Sequence, residues 1–349
     1  MRLPIPIGIM TVAIGLAFTA GTTSAETLKF TVLGQPLATG LIQKNKEQPF
    51  FENFAERTGL DAVADYKPLD MTGIKDTEEL RILKSGLFDI VSLRMSQVSR
   101  DAPTILGLDL VGLNPTYDAG RKTMKEFGPV VDKRLQETFN TKLLGIWPFG
   151  PQVLFCKPKI AKLSDLKGYK VRVYDQSLAN FIAKVGGTPV PIGFAEVHQS
   201  LARGVVDCAI TGPSSANSAG WPEVTTHMLP VAFQVALNGY GINLDTWNKL
   251  SPDQQGKMTK AFDELTEEIW QYSEYLFEDA VRCTTGQKPC ETVKEYNLVS
   301  VPVTDEDLAL IGNAVAEVSF PAWAKICDKS NPTCSADWKR TVGKRVGVE

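Results

Sequence analysis

The chain has 349 residues, 37 Lys and Arg against 40 Asp and Glu, and a formal net charge of −3. That length exceeds one ordinary domain and predicts two. The mildly acidic balance, with no basic stripe, speaks against nucleic acid as a partner, and only His198 and His227 are available to a metal site.

Met1-Arg2-Leu3-Pro4 leads into an uncharged apolar stretch from Ile5 to about Ala20, followed by the small residues Gly21-Thr22-Thr23-Ser24-Ala25. A basic start, an apolar core and a small-residue exit predict a secretory signal peptide over 1–25, cleaved near Ala25. The apolar stretch is short for the ~20 residues of a membrane span, and no cationic stop flanks it. No cysteine stands at the exit for a lipid tether. The remaining chain has no segment apolar enough to cross a bilayer, so a soluble periplasmic protein is expected.

Leu28-Lys29-Phe30-Thr31-Val32-Leu33 alternates apolar and polar residues and stops at Gly34-Gln35-Pro36, the pattern of a strand ending in a turn. Helical spacing follows through Phe50, Phe51, Phe54 and Ala55 until Gly59. An internal echo comes next. Glu78, Leu83, Gly86 and Asp89 recur at the same spacing as Glu196, Leu201, Gly204 and Asp207. Each copy reads as an amphipathic helix, a glycine suited to the left-handed cap, and a buried strand. Two lobes built around one unit are what a pseudo-symmetric clamp requires.

Helix–strand alternation with short apolar strands predicts parallel-type α/β sheets. Lys142–Trp147 and Met228–Asn243 read as crossovers between lobes. They divide the chain into lobe I, 26–150 plus about 232–262, and lobe II, 151–231 plus about 263–349. Ser251-Pro252-Asp253-Gln254 forms a capping box with proline at the first helical position. Behind it Met258, Phe262, Leu265, Ile269, Tyr272, Leu276 and Ala280 make one apolar stripe. About 30 helical residues span ~45 Å, so this helix is predicted to run along both lobes. Thr304 with Asp307 starts another helix.

All six cysteines follow residue 25. Cys283 with Cys290, and Cys327 with Cys334, bracket polar, turn-rich intervals too long for zinc-knuckle spacing. In an oxidising compartment they predict two local disulfides. Cys156 and Cys208 lie in apolar strand-like runs; a third bridge and two buried thiols fit equally well.

Catalytic signatures are missing. Gly212-Pro213-Ser214-Ser215-Ala216 fails the nucleophile-elbow spacing, and neither a phosphate-binding loop nor His-Glu-x-x-His occurs. Two histidines without a carboxylate motif do not make a Ser-His-Asp or Cys-His site. Acidic pairs such as Glu267-Glu268 lie on the polar side of the long helix. A non-enzyme with no cofactor and no metal is therefore expected.

Arg172 is the residue singled out by pattern. In Lys170-Val171-Arg172-Val173-Tyr174, period-two alternation buries Val171 and Val173 and turns Arg172 to the other side. The strand ends near Asp175-Gln176-Ser177, a helix start, and open α/β sheets bind ligands beyond the carboxyl ends of their strands. Arginine there can grip a carboxylate through two parallel charge-assisted hydrogen bonds. An ordinary surface salt bridge is the competing reading.

Leu163-Ser164-Asp165-Leu166-Lys167-Gly168-Tyr169-Lys170-Val171-Arg172-Val173 carries a resemblance. So do Gly186-Gly187-Thr188-Pro189-Val190-Pro191, Phe194-Ala195-Glu196-Val197 and Leu201-Ala202-Arg203-Gly204-Val205-Val206-Asp207. The run resembles the solute-binding proteins of tripartite ATP-independent periplasmic (TRAP) transporters, the DctP family. The resemblance implies a two-lobed, type II periplasmic-binding-protein-like α/β fold that captures an organic acid for a membrane permease. It implies that Arg172 clamps the ligand carboxylate and that Phe194 packs on the ligand. Two positions depart. Gln152 stands where many relatives have a second arginine, and Thr211 where relatives carry asparagine, so no known ligand transfers directly. Arg94, ending the first-lobe strand of the echo, is expected across the cleft from Arg172 as compensation. Gln35 and Trp221 are further candidates to line the cleft, while Trp147 and Phe149 suit the hinge. The expected whole is a monomer. Its alternatives are a ligand-binding sensor component or an enzyme on the same scaffold.

Overall fold

A computed structural model of the chain describes residues 1, 3, 27–37 and 40–349. Apart from Met1 and Leu3, the expected signal segment 1–25 lies outside the described residues. In chain order the strands are β1 (Leu28–Gly34), β2 (Ala62–Pro68), β3 (Ile90–Leu93), β4 (Thr141–Pro151), β5 (Val153–Cys156) and β6 (Lys170–Val173). They continue with β7 (Thr188–Pro191), β8 (Cys208–Thr211), β9 (His227–Leu229), β10 (Val235–Asn243) and β11 (Val299–Ser300).

The strands form two sheets, ordered β2-β1-β3-β10-β4 and β7-β6-β8-β5-β9-β11. Read this way, the two share one plan. Each has a parallel trio, then one strand antiparallel to it that has come across from the other sheet. The sheets are thus mixed, not purely parallel as the alternation predicts. β10 and β5 run against the parallel trios because each enters its sheet directly from a crossing, beside the carboxyl ends of those strands.

The echo holds in atomic detail. Gly86 and Gly204 both take φ of 72° and close their helices on Leu83 and Leu201 through backbone bonds of 3.1 Å. Asp89 accepts from the Thr31 amide and Asp207 from the Lys170 amide, each at 2.8 Å. The same carboxylate clip therefore fastens β3 to β1 and β8 to β6. Leu33 pairs with Val91 and Arg172 with Ala209, so Arg172 occupies in the second sheet the place of Leu33 in the first.

The crossings are shorter than expected. Lys142–Trp147 lies wholly inside β4, paired with β10, and the chain first passes between the sheets at Pro151–Val153. The return runs through residues 230–234, between β9 and β10. The two crossings are joined by Gln152 N–H donating to Gln234 O at 2.9 Å and Phe233 N–H to Gln152 O at 3.0 Å.

The long helix is Pro252–Thr284, 33 residues, with the Ser251–Gln254 capping box in place. Met258, Phe262, Leu265 and Ile269 enter the first-sheet core beside Phe50, Phe51 and Trp147, whereas Phe277 and Val281 pack beside the second-sheet residues Phe155 and Trp221. It spans both, as the stripe predicts. Helix Tyr117–Phe139, which the sequence reading does not contain, crosses it at Gly120 and β4 at Gly128. A Cβ at Gly120 would come within 3.3 Å of Trp270, and one at Gly128 within 3.2 Å of Ile146. The C-terminal segment also departs from expectation. Phe320, Trp323, Trp338 and Val348 pack with Leu33, Val91 and Phe127 of the first sheet's core, not with the second.

All three cysteine pairs are bridged. Cys156 and Cys208 face each other across the antiparallel β5–β8 pair, and Cys283–Cys290 and Cys327–Cys334 close local loops. Among the described residues no helix is long and apolar enough to cross a membrane, and no group of three or more His, Cys, Asp and Glu is placed to hold a metal.

Candidate functional site

The carboxyl ends of β3, β6 and β8 converge beside the crossings. There they border a cavity lined by Arg94, Gln97, Gln152, Arg172, Phe194 and Thr211, among others.

Arg172 stands at the centre of one wall. Alternation along β6 sends Val171 and Val173 into one core and Arg172 to the opposite side. The side chain is only 2% exposed, yet among the described residues no carboxylate lies within ion-pair distance of it. Nε donates to Ile192 O and Nη1 to Ile210 O, both at 2.9 Å. Tyr174, Phe194 and Trp221 surround the guanidinium with ring centroids 5.5, 6.0 and 5.8 Å away. Burial pulls its pKa down to about 10, and the charge on Arg94 pushes the same way. It therefore stays cationic at neutral pH while keeping donors unspent. A desolvated cation without an anion is an anion site.

Arg94 forms the facing wall at the end of β3. Its Nε donates to Gln35 Oε1, its backbone N–H donates to Glu79 Oε2 at 2.7 Å, and Nη1 lies 3.7 Å from Asp76. Behind it lies a buried polar lattice. Gln35 N–H donates to Glu47 at 2.7 Å, and Gln35 Nε2 donates to Glu79 at 3.0 Å and to Ser92 O. Glu47 also accepts from the hydroxyls of Ser92, Tyr66 and Tyr240. Burial raises the pKa of Glu47, and that of Glu79 to about 8.

The walls match. Arg94 lies over Phe149 at 5.8 Å, and Arg172 over Phe194 at 6.0 Å. Gln97 Nε2 donates across to Tyr174 O at 3.4 Å.

Of the sequence candidates, Arg172, Phe194, Thr211, Gln152 and Arg94 are brought together on the cavity. Gln35 and Trp221 are not on its lining. Gln35 is fully buried, its side-chain amide taken up by Arg94, Glu79 and the Ser92 carbonyl, and Trp221 lies behind Phe194, stacked on it at 5.4 Å. Phe149, assigned to the hinge from sequence, lines the cavity, whereas Trp147 is buried against Tyr240. Sequence reasoning missed Ser96, Gln97, Tyr174, Ser215, Ala236 and Asn238. Asn238 Nδ2 is buried and has no hydrogen-bond partner among the described residues.

Comparison with known proteins gives concordant results. The DctP pattern, "Bacterial extracellular solute-binding protein, family 7", matches residues 52–301. The chain is 24% identical over 307 residues to the sialic acid-binding periplasmic protein SiaP of Vibrio cholerae, covering 87% of this chain and 89% of that one. It is 25% identical to the C4-dicarboxylate-binding periplasmic protein DctP of Rhodobacter capsulatus, covering 64% and 68%. A crystal structure of a TRAP solute-binding protein specific for pyroglutamate, from an unidentified marine metagenome microbe, superposes with a TM-score of 0.74 at 22% identity. It covers 90% of this chain and 100% of that one. The fold is shared, and the ligands of these relatives differ.

Proposed function

Because the chain belongs to the DctP family of TRAP solute-binding proteins, we propose that it works in the periplasm. There it captures a small organic acid between its two lobes and delivers it to a TRAP membrane permease. The lobes of this proposal are built on the two sheets, with Pro151–Val153 and residues 230–234 as hinge.

One observation carries the reading: Arg172, buried and without a carboxylate partner among the described residues, faces a cavity between the sheets. A ligand carboxylate supplies the missing anion through charge-assisted bonds, and exclusion of water strengthens the contact. Phe194 supplies an apolar face, while Thr211, Gln152 and Arg94 contribute polar groups from three further segments. Relatives named for sialic acid and C4-dicarboxylates support a carboxylate as the recognised group. The lack of a nucleophile–base pair among the lining residues fits capture without turnover.

The test is thermal-shift screening of residues 26–349 against organic acids, followed by calorimetry on the hits. A ligand raises the melting temperature by mass action. Arg172→Ala should abolish the shift, and unchanged affinity in that variant would overturn the assignment.

A further inference from the structure

The cavity contains two arginines, but they are not equivalent. Arg172 has no anionic partner within ion-pair distance among the described residues, whereas Arg94 has Asp76 at 3.7 Å. Arg94 is further fixed by Gln35 and by the Glu79 carboxyl on its backbone N–H. The remaining polar lining is neutral, with hydroxyls from Ser96, Tyr174, Thr211 and Ser215 and amides from Gln97, Gln152 and Asn238. Of these, Asn238 presents a buried Nδ2 donor with no partner among the described residues, and a buried unsatisfied donor is costly unless a ligand acceptor meets it.

Resting on the carboxylate reading above, we infer that Asp76 sets the charge of the ligand. By pairing with Arg94 it leaves one uncompensated cation, Arg172, and selects a monoanionic carboxylate whose other polar groups are neutral oxygens or N–H groups.

The chemistry is that of charge matching. A monocarboxylate placed on Arg172 neutralises the cavity. Its neutral oxygens then reach Asn238 Nδ2 and the hydroxyls of Ser96, Ser215 and Thr211, while its apolar surface lies between Phe149 and Phe194. A dianion brings a second charge to a guanidinium already shared with Asp76. That charge must be desolvated with no full counter-charge, and Asp76 repels it. The other acids near the site do not alter the count. Burial raises Glu79 to about 8 and Asp175 to about 7, so neither brings a full negative charge to the cavity near pH 7, and burial pushes Asp109 in the same direction. Gln152 adds to the same bias. It brings no charge, and its Nε2 already donates to Gly150 O at 2.9 Å.

The experiment is calorimetry on the wild-type protein and on Asp76→Asn with two sets of probes. The monoanions are pyroglutamate, D-glucuronate, D-galacturonate and orotate; the dianions are succinate, L-malate, fumarate and sn-glycerol 3-phosphate. We expect the best monoanion to bind the wild type at least about tenfold tighter than any dianion. Asp76→Asn, which keeps the shape and removes the charge, should shift that ratio about tenfold towards the dianions. General loosening of the wall would weaken both sets alike and leave the ratio where it was. A dianion binding the wild type as tightly as the best monoanion, or a ratio unmoved by Asp76→Asn, overturns the inference while leaving the carboxylate reading intact. No binding by any of the eight acids overturns both.

Discussion

A buried guanidinium that touches only carbonyls and rings is costly to the empty protein, which separates function from stability at one position. Removing Arg172 frees the fold from a desolvated charge; exchanging even paired buried ions for apolar side chains is often neutral or stabilising by about 1–4 kcal/mol. It also leaves Ile192 O and Ile210 O without their donor, at about 1–3 kcal/mol each. The two effects offset. Arg172→Met, which keeps the volume, should therefore stay folded with a stability within about 2 kcal/mol of wild type by denaturant titration. It should nevertheless lose on the order of 2–5 kcal/mol of ligand affinity. Collapse of the variant would mean that Arg172 serves the fold first. Glu79 allows a second test at this scale. Its pKa is raised to about 8, above the 4.5 of the free side chain, by burial. The folded chain thus holds a proton that the unfolded chain releases, and stability falls as pH climbs between those two values. Glu79→Gln should flatten that fall by an amount on the order of a few kcal/mol across the window, read from melting curves at stepped pH; parallel wild-type and variant curves would contradict the assignment. The sequence made Arg172 legible because alternation along a short strand fixes the side a residue faces. It misled at Gln35 and Trp221 because a strand end tells where a residue is, not whether a neighbour covers it. Asn238 gave no signal. It lies mid-strand in apolar β10, and its facing depends on the register shift between Ala236 and Leu237.

Elements were legible where local chemistry sufficed. The Ser251 and Thr304 capping boxes and the left-handed glycines at 86 and 204 all appear where their residue types predict. Helix Tyr117–Phe139 was not, because Gly120, Gly128 and Pro129 disfavour an isolated helix, and only its close approach to Trp270 and Ile146 explains the glycines. The pairing of Cys156 with Cys208 was likewise open in sequence and is fixed by strand order, which places the two opposite each other on β5 and β8. That bridge joins residues 52 apart in sequence, against 7 for each of the others. On loop-closure entropy it contributes about 4 kcal/mol, compared with roughly 2.5 for each short loop. Replacing both Cys156 and Cys208 with alanine should accordingly lower stability more than removing either other pair, as measured by urea midpoints. Equal losses from all three would show that strain or residual structure, not loop length, governs these bridges.

At the scale of the whole molecule, the two-lobe plan was legible from the echo of Glu78–Asp89 in Glu196–Asp207, because the repeated helix–Gly–strand unit places β3 and β8 equivalently in the two sheets. The docking of Phe320–Val348 on the first core was not, since nothing local in a C-terminal helix names its partner. This architecture bears on motion. The crossings at Gln152 and Gln234 are hydrogen-bonded to each other, and Gln152 also lines the cavity. A ligand that touches Arg94 and Arg172 contacts both sheets at once. It stabilises the arrangement that brings the two walls together, by its differential affinity for that state and by no more. Small-angle scattering should therefore show a smaller radius of gyration at saturating ligand than without it. Arg172→Ala at the same ligand concentration should keep the unliganded radius. An unchanged radius in wild-type protein that calorimetry shows to be saturated would mean that the lobes do not close on their guest, and that the cavity is a fixed pocket.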